Sequence, residues 1–202
     1  MAIIVTNGAG GPVHNMKVDK TDRALTRSIT ESEATHATED GDAFNINTGS
    51  ITLTGTTESA VLYVKNVSSD FILVIDAIAM GVDAPSTSFD NNVQLKFISG
   101  PTGGDIVSGA TDASMIANRS EASSKTMSDF DVYMGSNGES MTGGSDAALF
   151  WQNGQGRAYF TVGWTVEKNQ SIGLKCTPNV NGGGTAACYF AFICHLKDPD
   201  LI

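Results

Sequence analysis

Apolar positions are thin over residues 1 to 45, and turn formers are many. GAGGP is followed there by VDKTDRALTRSITESEATHATEDGD. Within it ALTRSI suits a short helix or an extended piece, and EATHATEDGD carries neither a strand nor a helix period. AFNINTGSITLT then begins a period of two, established from Ser50 onward. SITLT, AVLYVKN, FILVIDAIAMGV, VQLKFIS, FDVYM, AALFWQ, RAYFTVGWTV, SIGLKCT and AACYFAFICHL are rich in β-branched and aromatic residues and suit strands. Turn clusters separate them, among them TGTTES, NVSSD, SGPTGGD, GSNGES, QNGQG and NVNGGG. About nine strands with no convincing amphipathic helix predict an all-β fold, an antiparallel sandwich or barrel. AACYFAFICHL is apolar on both phases, so it belongs at the centre of a sheet or under a second subunit. Met80 and Gly81 mark a strand end or a bulge, and Asn45, Asn47 and Gly49 supply turn geometry where the body begins.

This pattern divides the chain into an extended N-terminal arm, 1–45, and a β-sandwich body, 46–202. Alone the arm buries too little apolar area to offset its ordering entropy, so it lies on the body or on a neighbouring subunit. The segment 103–129, GGDIVSGATDASMIANRSEASSKTMSD, breaks the strand rhythm. A connection of that length is usually functional or interactive, and a short helix fits over 113–118.

Composition narrows the classes of function. The 202 residues are 41% hydrophobic, enough for a sizeable core, and the 22 glycines exceed an average share of about 7%. A net charge of -10 disfavours nucleic acid and anionic membranes as partners. No apolar run reaches the roughly 18 residues of a membrane span. MAIIVTNGAGG lacks a basic stretch and a long apolar run, so no signal peptide is expected and synthesis is assigned to a cytoplasm. Cys176, Cys188 and Cys194 read as reduced, buried thiols. Cys188 and Cys194 share a strand face about 20 Å apart and cannot bridge each other, whereas Cys176 can meet one of them across strands.

The chemistry-bearing motifs are few. There is no GxSxG, GxxxxGK[ST], HExxH or EF-hand pattern, and GAGGP lacks the strand and spacing of a nucleotide loop. His14, His36 and His195 are scattered without ligand spacing. The carboxylates Glu31, Glu33, Glu39, Asp40 and Asp42 are a solvated acidic face more readily than a calcium site. A glycosidase needs two carboxylates on one cleft wall, which no pattern here marks. The expectation is therefore a non-enzymatic chain with no catalytic residue, cofactor or metal. Trp151, beside the QNGQGR turn, is the aromatic best placed for exposure and a glycan contact. The NxS triplets at Asn66, Asn118 and Asn169 read as coincidence without a signal peptide.

Four stretches carry a resemblance. VDKTDRALTRSITESEATHATEDGDAFNINTGSITLT, VLYVKNVSSDFILVIDAI, GGDIVSGATDASMIANR and TGG resemble a group of tailed-bacteriophage virion proteins. That group has an arm, an LYVKN-like strand, an IVSGAT-like loop and a glycine-rich turn; this chain departs from it in NRSEASS after the loop. The resemblance covers most of the chain and implies a structural β-sandwich of a phage particle. Head decoration (cement) proteins commonly have a jelly-roll body, cluster as trimers and grip capsomers with arms. The implied partners are the major capsid protein and other copies of this chain, as a homotrimer on the capsid exterior of a virion assembled in the host cytoplasm. On that reading Arg23, Arg27 and Arg119 are interface anchors, with His36 and Phe44 as further contacts. The alternative is a tail or receptor-binding module recognising host surface glycan through Trp151. A polysaccharide-degrading enzyme on a β scaffold is a third, weaker option.

Overall fold

The computed structural model describes residues 4–6, 13–15, 32–84, 92–108, 111–112 and 116–199. The chain divides into two compact units, Met1–Ser32 and Glu33–Ile202. In the first, β1 (Ile4–Thr6) pairs antiparallel with β2 (Val13–Asn15).

The second unit is an all-β antiparallel sandwich. Its main strands are β3 (Ala43–Thr54), β4 (Ser59–Asn66), β5 (Ile72–Asp83) and β6 (Val93–Ser99), followed after an insertion by β10 (Ser145–Gln152), β11 (Gly156–Val166), β12 (Ser171–Thr177) and β13 (Thr185–Lys197). The pairing is nested: β6 with β10, β5 with β11, β4 with β12, and β3 with β13. The chain is thus one long hairpin of strand pairs. Further pairing of β13 with β5 and of β12 with β6 rolls it into two sheets, β11-β5-β13-β3 and β10-β6-β12-β4. Rolled, nested pairing of eight strands is the jelly-roll arrangement.

All nine segments with period two are strands. The doubly apolar AACYFAFICHL lies in β13, hydrogen-bonded to β3 on one side and β5 on the other. One phase of each strand faces inward. Phe44, Ile46, Leu53, Leu73, Ile75, Leu95, Phe97, Leu174, Phe190 and Phe192 fill the space between the sheets and are each at most 2% exposed. Phe97 meets Phe192 edge-on at 6.1 Å and Trp164 at 5.2 Å, so the aromatics interlock across the two layers. Phe150 of β10 stacks on Phe160 of β11 at 4.4 Å, closing the edge where the chain crosses between sheets.

The insertion between β6 and β10 carries α2 (Asp105–Ser108), β7 (Thr111–Asp112), β8 (Ile116–Asn118) and β9 (Phe130–Met134). β8 adds to β3; β9 adds to β4 and in turn holds β7. The long segment thus covers the opposite edge of both sheets, protecting backbone groups that would otherwise be open. Ile116–Asn118 is a strand, not part of a short helix, because its backbone pairs with Phe44–Ile46. Ile106 of α2 and Met141 pack with Ala60, Tyr63 and Ile98 on the outer face of the β4 sheet. That second small core explains why β4 is buried on nearly every residue.

Glu33–Asp40 is a helix, α1, where the sequence showed no period. Only Ala37 is buried in it, so there is no apolar stripe to detect. Its stop is chemical: Gly41 has φ +78, a Cβ there would lie 2.2 Å from Ser123 Oγ, and the Asp42 N–H donates to Ala37 O at 2.7 Å. Asn45, Asn47 and Gly49 lie within β3 rather than in an opening turn. Gly49 (φ +66) makes a bulge opposite Phe190, whose N–H donates to Thr48 Oγ1 at 3.1 Å. Met80 and Gly81 pair without a register shift, and their strand runs on to Asp83.

Glu58 sits between Lys96 on β6 and Lys175 on β12, with 3.3 Å to Lys175 Nζ. Partial burial acts to raise its pKa, but hydrogen bonds from Lys96 and Lys175 and their charges outweigh that, leaving it below its ordinary 4.5. A depressed carboxylate stabilises the fold above its unfolded pKa and loses that contribution as pH falls through its folded value. Glu58→Gln should lower stability by about 1 kcal/mol or less at neutral pH, since the group is mostly solvated. Denaturant midpoints of the two proteins should converge once the pH is below the depressed value; a gap persisting in acid would assign the loss to packing instead.

Candidate functional surface

The two sheets differ in how their outer faces are covered. The insertion roofs the outside of the β4 sheet. On the β13 sheet α1 covers one end. There Lys197 Nζ pairs with Glu33 at 2.8 Å, and the Leu196 N–H donates to Asp42 O at 2.8 Å. His195, on the outward phase of β13, is 2% exposed, and its Nδ1 lies 3.1 Å from the Asp76 carboxylate. Asp76 sits at a register shift in β5, which turns its side chain toward the histidine.

Among the described residues nothing roofs the other end of this face. Strand register sets side chains from three strands into two rungs. Arg157 of β11, Gly81 of β5 and Tyr189 of β13 form one; Tyr159, Ala79 and Ala191 form the next. The result is a groove of about 1040 Å³ whose floor is glycine and alanine. Its walls are Tyr159, 62% exposed, and Tyr189, 47% exposed. Asp83 and Gln155 stand at one end, joined by a 2.7 Å hydrogen bond from Gln155 Nε2. From sequence Tyr159 and Tyr189 are two of nine aromatics, with Tyr63, Phe150, Trp151, Phe160, Trp164, Phe190 and Phe192, that could suggest a sugar-binding platform; strand alternation explains most of them as core, and nothing marks the groove. The signal was present in part. RAYFTV alternates, placing Tyr159 on the polar phase with Arg157 and Thr161; Tyr189 shares its phase with Ala187 and Ala191. Which phase faced outward, and that the two strands lie near each other, depends on the pairing.

The residues chosen from sequence do not gather. Arg23 and Arg27 lie outside the described residues. His36 is on α1, with its side chain 67% exposed and its Nε2 3.4 Å from Asp40, an i,i+4 pair. Phe44 is 1% exposed and belongs to the core, where β3 turns it inward. Arg119 is exposed, and its backbone N–H donates to Ala43 O at 2.8 Å. Trp151 is 50% exposed on β10, two positions from the 44% exposed Leu149 on the same strand face. It does not line the groove.

Three carboxylates of the acidic stretch have basic side chains as neighbours. Asp42 accepts from Lys125 Nζ at 2.8 Å, Asp40 faces His36, and Glu33 holds Lys197. Lys125 follows NRSEASS, and Asn118 of the same segment donates to Gly41 O at 2.7 Å. The NRSEASS segment and Lys125 therefore clasp the junction of α1 and β3. Among the described residues no three His, Cys, Asp or Glu side chains come together as a metal site. The cysteines are free and buried. Cys176 meets Cys188 across the core, and that thiol–thiol hydrogen bond, with burial, pushes the Cys176 thiol up. Burial and the Asp76 charge push Cys194 up as well. Protonated, enclosed thiols of this kind are poor nucleophiles.

No known protein family and no characterised protein matches this sequence.

Proposed function

We propose that this chain is a non-enzymatic structural component of a tailed-phage particle, a head decoration protein binding between major capsid subunits as a homotrimer. One structural observation carries the reading beyond the sequence resemblance. Residues 33–202 complete both sheets and the core as a unit, while Met1–Ser32 is a unit of its own. On this reading Met1–Ser32 is the unit that engages the partner. A jelly roll whose β3 and β4 edges are extended by the short strands of the insertion is also suited to packing among copies.

The test is the copy number per purified virion, by quantitative mass spectrometry against the major capsid protein. The expected ratio is near one per capsid subunit, or a fixed large fraction of it. A handful of copies moves the chain to the tail, and absence removes it from the particle. A second measurement removes residues 1–32. The shortened protein should keep its melting temperature and lose head binding; retained binding defeats the assigned role of the arm. The cut belongs before Glu33, because α1 and Phe44 are part of the body.

Half-exposed Trp151 beside Leu149 supports the second reading, a tail or receptor-binding module. Trp151→Ala should then abolish binding to host cells.

A further inference from the structure

The groove on the β13 sheet has a composition that selects among ligands. Two tyrosine rings stand on either side of a floor with almost no side chains. From strand spacing and rise, their Cα positions are about 12 Å apart on the diagonal. Among the described residues no hydrogen bond holds either hydroxyl and no ion pair engages Arg157. The polar groups at the rim are planar: the Arg157 guanidinium, the Asp83 carboxylate, and the amides of Asn47 and Gln155. The guanidinium presents its donors in pairs, and the Asp83 carboxylate and the Gln155 amide each keep an oxygen outside their mutual bond, so these three groups can serve adjacent hydroxyls.

The charge arithmetic excludes the ligands that an arginine alone would suggest. Arg157 and Asp83 cancel, inside a chain whose net charge is -10. Phosphates, sulfates and nucleic acids want several cations and no carboxylate. A peptide that adds a strand wants unpaired backbone, which lies at the β11 edge and not on the floor, where β5 and β13 are hydrogen-bonded on both sides. The exposed rings, the bare floor and the balanced charges fit a neutral molecule with flat apolar faces and a periphery of hydroxyls. The volume suits a ligand of small-molecule size.

We propose that this groove binds a neutral pyranose-based glycan, of about two sugar rings. The C–H faces of the rings lie on Tyr159 and Tyr189, and their hydroxyls are read by Arg157, Asp83 and Gln155. The inference is independent of where in a particle the chain sits, and it concerns the opposite sheet from Trp151.

Gly81 supplies a clean test. Its φ is not in the left-handed region, and a Cβ there would meet Tyr189 and Arg157 only at 3.7 to 3.9 Å. A β-branched side chain therefore fits the strand and fills the floor between the walls. The full-length protein is titrated with the methyl glycosides of glucose, galactose, mannose and N-acetylglucosamine and with their neutral di- and trisaccharides. Binding is read by saturation-transfer NMR and calorimetry. At least one disaccharide should bind, and tighter than its monosaccharide. Tyr159→Ala and Tyr189→Ala should each weaken it about tenfold or more, and Gly81→Val should abolish it with the melting temperature kept. Trp151→Ala should leave it unchanged. No signal from any saccharide overturns the proposal. So does binding that survives all three groove substitutions, or that is lost only in Trp151→Ala. A concentration-dependent oligomer dissociated by Tyr159→Ala and Tyr189→Ala, without saccharide binding, would give the face to a second copy of the chain.

Discussion

Phe97→Ala should lower the free energy of unfolding by about 3 to 5 kcal/mol, a large part of what a domain of this size has. Phe97 is fully buried on β6, between Trp164 of β11 and Phe192 of β13. It therefore touches both layers, and its removal leaves a void bounded by two aromatic rings anchored in hydrogen-bonded strands. Those strands cannot collapse inward without breaking register, so the cavity term stays nearly whole. Phe97→Leu, which refills much of the volume, should cost markedly less. The measurement is the denaturant midpoint at unchanged m-value. A loss below about 1 kcal/mol would show that the two sheets do not close on this residue.

Asn66→Ala should cost on the order of 3 kcal/mol or more, although it deletes only an amide. Asn66 ends β4 and is completely buried. Its Nδ2 donates to Phe71 O and to Val166 O, both at 2.9 Å, and its Oδ1 accepts from the Ser68 N–H at 2.8 Å. One side chain thus ties the β4–β5 turn to the end of β11, on the other sheet. Alanine strands two carbonyls and one N–H, each at about 1 to 3 kcal/mol where water cannot reach. Asn66→Asp separates this account from simple packing, since its shape is the same. An ionised carboxylate keeps the Ser68 bond but faces two carbonyls with no proton to give. Its folded pKa is thereby raised, so its stability deficit should be smallest at acid pH and grow as pH rises through that value. A deficit independent of pH would defeat the hydrogen-bond explanation.

Neither of these residues announces itself in the sequence as a keystone. Phe97 is one of several aromatics on an alternating strand, and Asn66 reads as a turn former or a sequon. The alternation VQLKFIS does show which phase of β6 is apolar, because a strand's neighbours in sequence fix its faces. It is silent on what the apolar phase meets. For the same reason the candidate contacts divided as they did. Phe44 lies on the inward phase of AFNINTG and could have been assigned to the core from the alternation with Ile46. Trp151 was read as exposed from its place beside a turn, and it is.

The sequence by itself determined that the body is built of strands and where nine of them run, and it narrowed the last one to the centre of a sheet or a place under a second subunit. Those are local or nearly local consequences of period, β-branching and turn chemistry. Tertiary structure alone decided the nested pairing, because strand order is a property of long-range closure and leaves no mark on any single segment. It decided that a helix forms at Glu33–Asp40, since that helix rests on one buried alanine and the hydrogen bonds after Gly41 rather than on an apolar stripe. It decided, too, that the long insertion becomes edge strands, for short strands gain stability only from the sheet they join. Finally, it made the groove. Gly81, Arg157 and Tyr189 are far apart along the chain, and only the registers of β11 with β5 and of β5 with β13 set them in one row.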